Sequence, residues 1–433
     1  MTGYNEYKDS GISWIGDIPA HWKTEKGKHI LTLLERAVRD DDEIITCFRD
    51  GEVTLRKNRR EEGFTVSLKE IGYQGIEPGD LVVHGMDGFA GSIGVSDSRG
   101  KATPVLNVMD SDQNKRYLMY YLRTAAYKDV FMSISTGIRV RSCDLRWNKI
   151  SVFPFILPER DEQDRIVRYI DEKIEHIDIL ISEARASIEE YKAWKASVIF
   201  EAVTKGLDPN VEMKDSGIEW IGMIPNDWKI MKLKYFISGY KAGPFGSALI
   251  TDALKSNGNI LVYTPEHIAK KAVELDSNLF LPDERRDEMQ QFLVEPGDII
   301  FPIVGSLGRS MLITKEMPTG IINQRLAKFK LNQDMISMDY FLWLFSRSTF
   351  YNTFIELNCR GSIIVNLTKQ IVSDMPVPLP SNKDEQERIS EYLSEKCEEI
   401  DSLIFEKESL ISDLESYKKS LIFEVVTGKR RVC

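Results

Sequence analysis

The residues with the clearest chemical potential in this sequence are arginine, lysine and amide side chains in and around predicted loops. Arginine and lysine can bind guanine or phosphate, and asparagine and glutamine can bind adenine. Ordinary solvated loop charge is the alternative, and both interpretations stay open. The candidates are Arg139, Arg141, Arg146 and Lys149 in the first half of the chain and Arg309, Gln324, Arg325, Arg360, Ser362 and Lys369 in the second.

Patterns for catalysis are missing from the sequence. There is no Gly-x-x-x-x-Gly-Lys-[Ser/Thr] loop for nucleotide phosphates. Gly88, Gly91 and Gly94 have the wrong spacing for a dinucleotide fingerprint, and the five histidines show no ligand spacing. Base-modifying enzymes need a pocket for a flipped base, and no Asn/Asp-Pro-Pro-aromatic tetrad marks one. We therefore expect no catalytic centre, no metal and no cofactor in this chain.

Composition restricts the class of protein further. The 433 residues exceed one ordinary domain, and 42% of them are hydrophobic, enough for packed cores. No apolar run is long enough for a membrane span, and the first residues do not form a secretory signal. The five cysteines are scattered, as in a reduced, cytoplasmic protein. Most of the net charge of −10 falls in two short segments, 161–206 and 384–433, so the larger segments are nearly neutral.

The chain contains two copies of one unit. The block Lys8–Lys23, KDSGISWIGDIPAHWK, returns as Lys214–Lys229 with twelve of sixteen positions identical. The stretch Asp161–Thr204 returns as Asp384–Thr427 with 22 of 44 positions identical. Such a repeat indicates tandem duplication, with framing blocks that are alike and interiors that have diverged.

The second repeat predicts a long helix in each copy. Its apolar residues recur at alternating steps of three and four, which is the pattern of a coiled-coil seam. Because one helix alone would leave this seam wet, each helix is the obvious partner of the other. The predicted pairing residues are Ile170, Ile174, Ile177, Ile181 and Ile188 in the first copy and Leu393, Ile400, Ile404, Ile411 and Leu414 in the second.

The remaining segments predict globular α/β (α+β) domains. Residues 79–95 and 297–313 share a pattern of Gly-Asp, an apolar strand, a glycine turn and a further strand. The predicted organisation is a first globular domain at 1–160 and a first helical region at 161–206. A second globular domain at 207–383 and a second helical region at 384–433 follow.

Taken together, these features resemble the DNA-specificity subunits of type I restriction-modification systems. The resemblance is carried by the Ser-Gly-Ile-x-Trp-Ile-Gly-x-Ile-Pro-x-x-Trp block at both starts, by Gly243-Pro-Phe-Gly-Ser247, and by Leu-Pro pairs before Asp-Glu-Gln at both helices. It covers essentially the whole chain in the same order. The first half lacks a clear Gly-Pro-Phe-Gly-Ser counterpart.

The resemblance implies a division of labour. Each globular half would be a target recognition domain for part of a bipartite, asymmetric sequence in double-stranded DNA. The helices would pair as an antiparallel coiled coil, set the half-site spacing, and dock methyltransferase subunits, expected to number two. Restriction-translocation subunits would join the complex. A two-lobed coiled-coil scaffold without DNA readout is the alternative.

Overall fold

The computed structural model describes residues 3–59, 70–133, 145–244, 254–305, 307–346, 349–358 and 367–432. Contacts divide the chain into two compact units. The first unit contains residues 1–185 and 408–433, and the second contains residues 186–407. Each unit therefore combines one globular half of the sequence with parts of both long helices. Within the described ranges, no helix has the length and apolarity needed to cross a membrane.

A four-stranded antiparallel sheet organises the globular part of the first unit. Its central strands, Leu81–His84 and Leu106–Asp110, are buried along most of their length. Apolar and β-branched side chains suit strands covered in this way. Helix Lys115–Tyr127 follows, capped by the Asn114 side chain, which accepts the first backbone N–H groups. The strand order is Thr32–Leu33, Leu106–Asp110, Leu81–His84 and Ile93–Val95.

Short elements complete the first unit. The antiparallel strand pairs are Tyr7–Asp9 with Asp17–Pro19, Lys23–Lys26 with Pro154–Leu157, Ile45–Cys47 with Val53–Leu55, and Gln74–Ile76 with Gly100–Ala102. The short helices are Gly27–Ile30, Val130–Ser133 and Trp147–Ile150, with 3-10 turns at Arg56–Asn58 and Gly88–Ala90.

The second unit repeats this plan. Its four-stranded antiparallel sheet has the order Ile237–Ala242, Leu326–Leu331, Asp298–Pro302 and Met311–Leu312. The pairs Met213–Asp215 with Met223–Pro225 and Lys229–Lys232 with Pro376–Leu379 match pairs of the first unit. The helices are Pro265–Lys270, Met338–Phe345, Thr349–Asn358 and Lys369–Ser373, with 3-10 turns Leu233–Tyr235, Asp283–Arg285 and Gln290–Phe292.

One sheet distinguishes the second unit from the first. Strand Ile260–Tyr263 pairs antiparallel with Phe280–Leu281 and parallel with Gly320–Ile322. A separate apolar core that includes Tyr263 and Phe292 covers this sheet. The corresponding small core of the first unit lies under two-stranded pairs and includes Ile45 and Val108. The two globular parts therefore share a frame and differ in what is built onto it.

The repeated Asp-Glu-Gln motif fixes the start of each long helix to its globular domain. The first long helix runs Arg160–Lys205 and the second Lys383–Val426. Trp22 Nε1 donates to Glu162 Oε2 at 3.2 Å, and Trp228 Nε1 donates to Glu385 Oε1 at 3.0 Å. One residue later, Gln163 and Gln386 accept the backbone N–H groups of Asn114 and Ser337. The duplicated tryptophans and glutamines thus join domain to helix.

The end of each long helix is held by a buried tyrosine. In the first unit, Tyr117 Oη donates to the carbonyls of Ile156 and Val426 at 3.0 and 3.1 Å. In the second unit, Tyr340 Oη donates to the carbonyls of Pro378 and Val203 at 2.9 and 3.2 Å.

A glycine ends each of these helices. Gly206 and Gly428 follow at φ +74° and +72°, the left-handed conformation that ends helices and favours glycine. A Cβ on Gly428 would lie 2.3 Å from Pro19 Cδ, so this close approach also excludes a larger residue.

The predicted seam residues lie on the inward side of the long helices. Six are buried: Ile170, Ile177, Ile181, Ile188, Leu393 and Ile400. Ile174, Ile404, Ile411 and Leu414 are partly buried. In the first unit, Asp178 pairs with Lys418 at 2.7 Å and Arg185 pairs with Glu415 at 3.5 Å. Residue numbers in the second helix fall as those in the first helix rise, so these two segments run antiparallel.

The second unit has an equivalent bridge between its helix segments. Lys195 Nζ lies 2.6 Å from Asp401 Oδ2, and Lys396 Nζ lies 5.0 Å from the Trp194 ring centroid. Such exposed ion pairs contribute only about 0.2–1 kcal/mol each. Burial of the apolar seam residues therefore contributes more to the packing of these helix segments than the ion pairs do.

The tyrosine contacts lead to a stability prediction. We expect Tyr340→Phe to lower the free energy of unfolding by about 1–3 kcal/mol, because two buried carbonyls lose their donor. Tyr235→Phe is the matched control, since the Tyr235 side chain is 55% exposed. Urea denaturation of both variants measures the difference, and equal midpoints for the two would show that the Tyr340 hydroxyl is not structural.

Candidate nucleic-acid interface

Three strand ends meet at one edge of the main sheet in the second unit. Strands Ile237–Ala242 and Asp298–Pro302 end there, and Leu326–Leu331 begins there, because both neighbours run antiparallel to it. Gly243 N donates to Leu326 O at 2.8 Å. A Cβ on Gly243 would lie only 1.9 Å from Asn323 O, so this close backbone approach requires glycine. We call this side of each unit the candidate reading edge.

The structure gathers several predicted residues of the second unit at this edge. Gln324 and Arg325 are exposed and directly precede the strand that starts at Leu326. Arg309 is also exposed and lies in the connection between Asp298–Pro302 and Met311–Leu312, which leaves from the same edge. Lys369 is exposed, with its ammonium group 5.7 Å from the Tyr240 ring centroid.

A chain of backbone hydrogen bonds organises this edge. Ile303 N donates to Arg325 O at 2.8 Å, and Leu367 N donates to Ile303 O at 2.9 Å. These bonds bring the segments that carry Gln324, Arg325 and Lys369 together. None of their side chains is needed for the bonds, so the side chains are available for other contacts.

The first unit repeats the same bonds with different residues. Gly85 N donates to Val105 O at 2.8 Å, and Leu145 N donates to Gly85 O at 2.8 Å. Asn107 is buried and its Nδ2 donates to Leu145 O at 2.9 Å, which fixes Leu145, the residue directly before Arg146. A Cβ on Gly85 would lie 3.8 Å from Arg146 Cγ. The candidate reading edge of this unit therefore includes Arg146.

Arg146 is exposed and stands immediately before the short helix Trp147–Ile150. Lys149 is half-buried on that helix and lines a cavity of about 750 Å³ together with Lys128. The other loop candidates, Arg139, Arg141, Arg360 and Ser362, lie outside the described residues. Residues 245–247 of the Gly-Pro-Phe-Gly-Ser segment also lie outside them.

Two cations of the densest basic cluster of the sequence, Arg56, Lys57, Arg59 and Arg60, are compensated by acidic neighbours. Arg59 pairs with Asp50 and Glu52, and Lys57 pairs with Glu43 at 2.6 Å. Because these carboxylates balance the cations, the cluster is a weaker phosphate candidate than its composition indicates.

A buried carboxylate stabilises the opposite end of each main sheet, a role that the shared Gly-Asp pattern did not reveal. Asp80 accepts the Glu77 backbone N–H at 2.8 Å and pairs with Arg36. Asp298 accepts the Glu295 backbone N–H at 2.9 Å and pairs with Lys328 at 2.9 Å. The Glu-Pro-Gly-Asp quartet, present at 77–80 and 295–298, was the available signal. These aspartates fix the turns before the two central strands that lead to the reading edges.

A further charged pair supports the first of these turns. Arg99 lies 2.8 Å from the buried Asp42, and its hydrogen bonds lower the pKa of Asp42 to about 2. Arg99 also pairs with Glu77. This carboxylate therefore stays ionised throughout the ordinary pH range.

No group of histidine, cysteine, aspartate or glutamate side chains suited to a metal ion occurs in the part of the chain that the structure describes.

Comparison with known proteins gives matches to one family. Residues 225–407 match the family model of the type I restriction modification DNA specificity domain. The type I restriction enzyme MjaVIII specificity subunit of Methanocaldococcus jannaschii is 23% identical over 321 residues, 73% of this chain and 70% of that protein. The putative type I restriction enzyme MjaX specificity subunit of the same organism is 22% identical over 447 residues, 96% of each.

Solved structures agree in fold. A chain from a study of complex assembly and conformational transition in a type I restriction-modification system has a TM-score of 0.69 and 12% identity. The match covers 94% of this chain and 98% of that one. The HsdS subunit from Thermoanaerobacter tengcongensis has a TM-score of 0.51 and 14% identity, covering 95% and 98%. This chain therefore shares its mixed α/β fold with both of these solved chains over nearly its whole length.

The turn at the reading edge of the first unit makes a pH prediction. His84 Nδ1 accepts the backbone N–H groups of Met86 and Asp87 at 3.2 and 3.0 Å, which requires the neutral ring. Burial lowers the pKa of His84 below its usual value of 6.5. Its contribution to stability is therefore present above that value and is lost as the pH falls from it through the lowered pKa of the folded protein.

We expect the stability advantage of the wild type over His84→Asn to narrow as the pH falls from about 7.5 to about 5.5, on either side of the ordinary histidine pKa. Urea midpoints of the two proteins across that range measure it. A difference in urea midpoint that stays constant or increases on acidification would contradict the assignment of a neutral His84 ring.

Proposed function

We propose a division of labour within this chain, which belongs to the family of type I restriction-modification DNA-specificity subunits. The chain supplies DNA-sequence specificity to a restriction-modification complex and is not itself an enzyme. In the proposed division, each globular domain reads one half-site of a bipartite, asymmetric target in double-stranded DNA. The long helices pair as an antiparallel coiled coil that sets the distance between the half-sites.

One observation carries this proposal. The bond chain through Gly85, Val105 and Leu145 in the first unit recurs through Ile303, Arg325 and Leu367 in the second. The same backbone frame thus presents different side chains in the two units. An asymmetric target has two different half-sites. Two domains with the same backbone arrangement but different exposed side chains would recognise such a target.

The second unit offers the clearest base-reading set. Arg325 can bind guanine O6 and N7 with two N–H groups, and Gln324 can bind adenine N6 and N7. Arg309 and Lys369 can add guanine or phosphate contacts from neighbouring segments. In the first unit Arg146 and Lys149 have the same roles, joined in our proposal by Arg139 and Arg141. Arg360 and Ser362 complete the proposed set of the second unit.

The helices offer the docking surface for methyltransferase subunits. Exposed apolar side chains occur on them in both units: Ile179, Leu180, Leu410 and Tyr417 in the first, and Trp194, Tyr392 and Phe405 in the second. Phe405 is 70% exposed, which is unusual for a phenylalanine without a partner. Because both units carry such side chains, we propose two methyltransferase subunits. Restriction-translocation subunits complete the complex in the cytoplasm.

A coiled-coil scaffold without DNA readout is the other candidate. The helices and their exposed apolar residues would serve it equally well. It gives no reason for exposed glutamine and arginine side chains on a repeated frame at the reading edge. Those side chains favour the DNA-reading function.

Methylation mapping tests the proposed function directly. Genomes of cells that make this chain with its methyltransferase are compared with genomes of cells that lack only this chain. We expect a bipartite, asymmetric methylated motif that disappears with the chain, because the catalytic partner depends on it for sequence choice. Identical methylation in the two strains, together with no binding of the purified complex to duplex DNA, would support the scaffold instead.

Substitutions at one reading edge test the assignment of the half-sites. We expect Arg325→Ala or Gln324→Ala to relax specificity at one base position of a single half-site, by about 1–3 kcal/mol per lost bidentate contact. Lys315→Ala is the control, since exposed Lys315 follows Met311–Leu312 at the opposite edge of the sheet. Methylation of variant target duplexes is the measurement. Unchanged specificity at both half-sites would remove these residues from the reading set.

A further inference from the structure

The first unit holds a group of cations where helix Lys115–Tyr127 ends against the second long helix. Arg123 is anchored by its Nε and Nη2 hydrogen bonds to Tyr127 Oη, at 3.1 and 2.6 Å. Lys419 Nζ lies 5.5 Å from the Tyr127 ring centroid, and Lys128 Nζ lies 4.7 Å from that of Phe423. Aromatic faces thus position all three cations without neutralising them.

Among the described residues, no carboxylate forms an ion pair with Arg123, Lys128 or Lys419. The acidic residues that line the adjoining cavity of about 720 Å³ have other partners. Asp50 and Glu52 share Arg59. Asp178 pairs with Lys418 and Glu415 with Arg185. These pairs leave the three cations as the groups available to an anion.

Three cavities connect these cations to the candidate reading edge. The cavity of about 720 Å³ is lined by Arg123, Tyr127 and Lys419. A smaller one, about 250 Å³, is lined by Tyr127, Lys128 and Lys419, with the hydroxyl groups of Ser416 and Ser420. The third, about 750 Å³, is lined by Lys128 and Lys149 and also by Asp129. Shared lining residues make this a continuous row of cations that ends at Lys149.

The glycine turn beside the reading edge adjoins the same row. A Cβ on Gly91 would lie 3.4 Å from Tyr127 Cε1, and one on Gly88 would lie 2.6 Å from Leu145 Cδ1. Leu145 is the residue whose N–H bonds to Gly85 at the reading edge. The row therefore runs on from the segment that carries Arg146.

The repeated helix does not require a cation at the position of Lys419. By the helical repeat, Lys419 corresponds to Ala196. One turn after Ala196, Phe200 belongs to an aromatic cluster of the second unit, where Phe350 lies 6.2 Å from Phe200 and 4.7 Å from Trp220, between ring centroids. The helix position of Lys419 is therefore apolar in one unit and cationic in the other, which indicates a role for this charge.

We propose that Arg123, Lys128 and Lys419, continuing from Lys149, bind successive phosphates of the DNA backbone beside the half-site read by the first unit. This inference rests on the proposed function. A row of separated cations with hydroxyl donors suits the regular charges of a polyanion better than a single carboxylate. Such contacts position the duplex and add affinity, and they carry no sequence information.

The test uses the full chain, assembled with its methyltransferase subunits, and two duplexes of equal length. One carries the mapped target motif and the other has a scrambled sequence. Binding is measured between about 50 and 200 mM salt, where phosphate contacts dominate the slope of log affinity against log salt at about 0.9 per contact. The variants are R123Q/K128Q/K419Q and the milder K128Q/K419Q. The charge-matched control is K229Q/K271Q/K315Q, at exposed lysines of the second unit.

We expect the triple variant to reduce the magnitude of the slope by about 2.7, so that its affinity falls about 40-fold less than that of the wild type over this salt range. The double variant loses two contacts, so we expect two thirds of the change in slope that the triple variant shows. Affinity for target and scrambled duplexes falls by the same factor, so the specificity ratio stays constant. The control variant keeps the wild-type slope.

The other outcomes separate this inference from the proposed function. Wild-type complex that shows no preference for the target duplex would overturn the proposed function itself. A target preference with unchanged slopes in both variants would overturn only the phosphate row. The variants could instead bind DNA as the wild type does and fail to assemble with methyltransferase. That outcome would identify the cations as a protein-docking surface and would also overturn the proposed phosphate contacts. The K128R/K419R variant keeps both charges and is therefore expected to show the wild-type slope of log affinity against log salt.

Discussion

The ends of the two long helices complete the cores of the globular parts, and the rest of each unit depends on this contact. Tyr117 and Tyr340 each use one hydroxyl to join a strand carbonyl to a helix-end carbonyl. In both units the helix end belongs to the other copy of the repeat. Val425 and Val426 are buried in the core of the first unit, and Ala202 and Val203 in that of the second. Neither sequence repeat therefore forms its compact unit alone.

This arrangement explains why the framing blocks of the repeat are well kept while the interiors diverge. Trp22 and Trp228 must reach a glutamate on the helix, and Gly206 and Gly428 must allow the helix to end beside those tryptophans. Any change in these residues would disturb the domain and the helix together. The reading edges carry no such constraint, because their backbone bonds do not use the exposed side chains. The side chains at these candidate reading edges can therefore vary while the frame stays fixed.

Charge in this protein has to be considered locally. The net charge of −10 is concentrated along the helical segments, where acidic side chains face solvent. Some basic clusters are compensated by neighbours, as Arg59 is by Asp50 and Glu52. Others, such as Arg123 with Lys128 and Lys419, have aromatic partners and keep their charge available. An acidic chain can thus present local cationic surfaces to a polyanion.

Sequence alone indicated the duplication, the long helices and the family resemblance, because repeated blocks and a three-four apolar spacing are local signals that survive without coordinates. It also selected Gln324, Arg325 and Lys369 by side-chain chemistry. It did not reveal Asp80 and Asp298, whose partners Arg36 and Lys328 lie far along the chain. Nor could it place Arg123 beside Lys419, nearly three hundred residues away. Only the tertiary structure decided which charges are neutralised, because that depends on distances between side chains that the linear order does not contain.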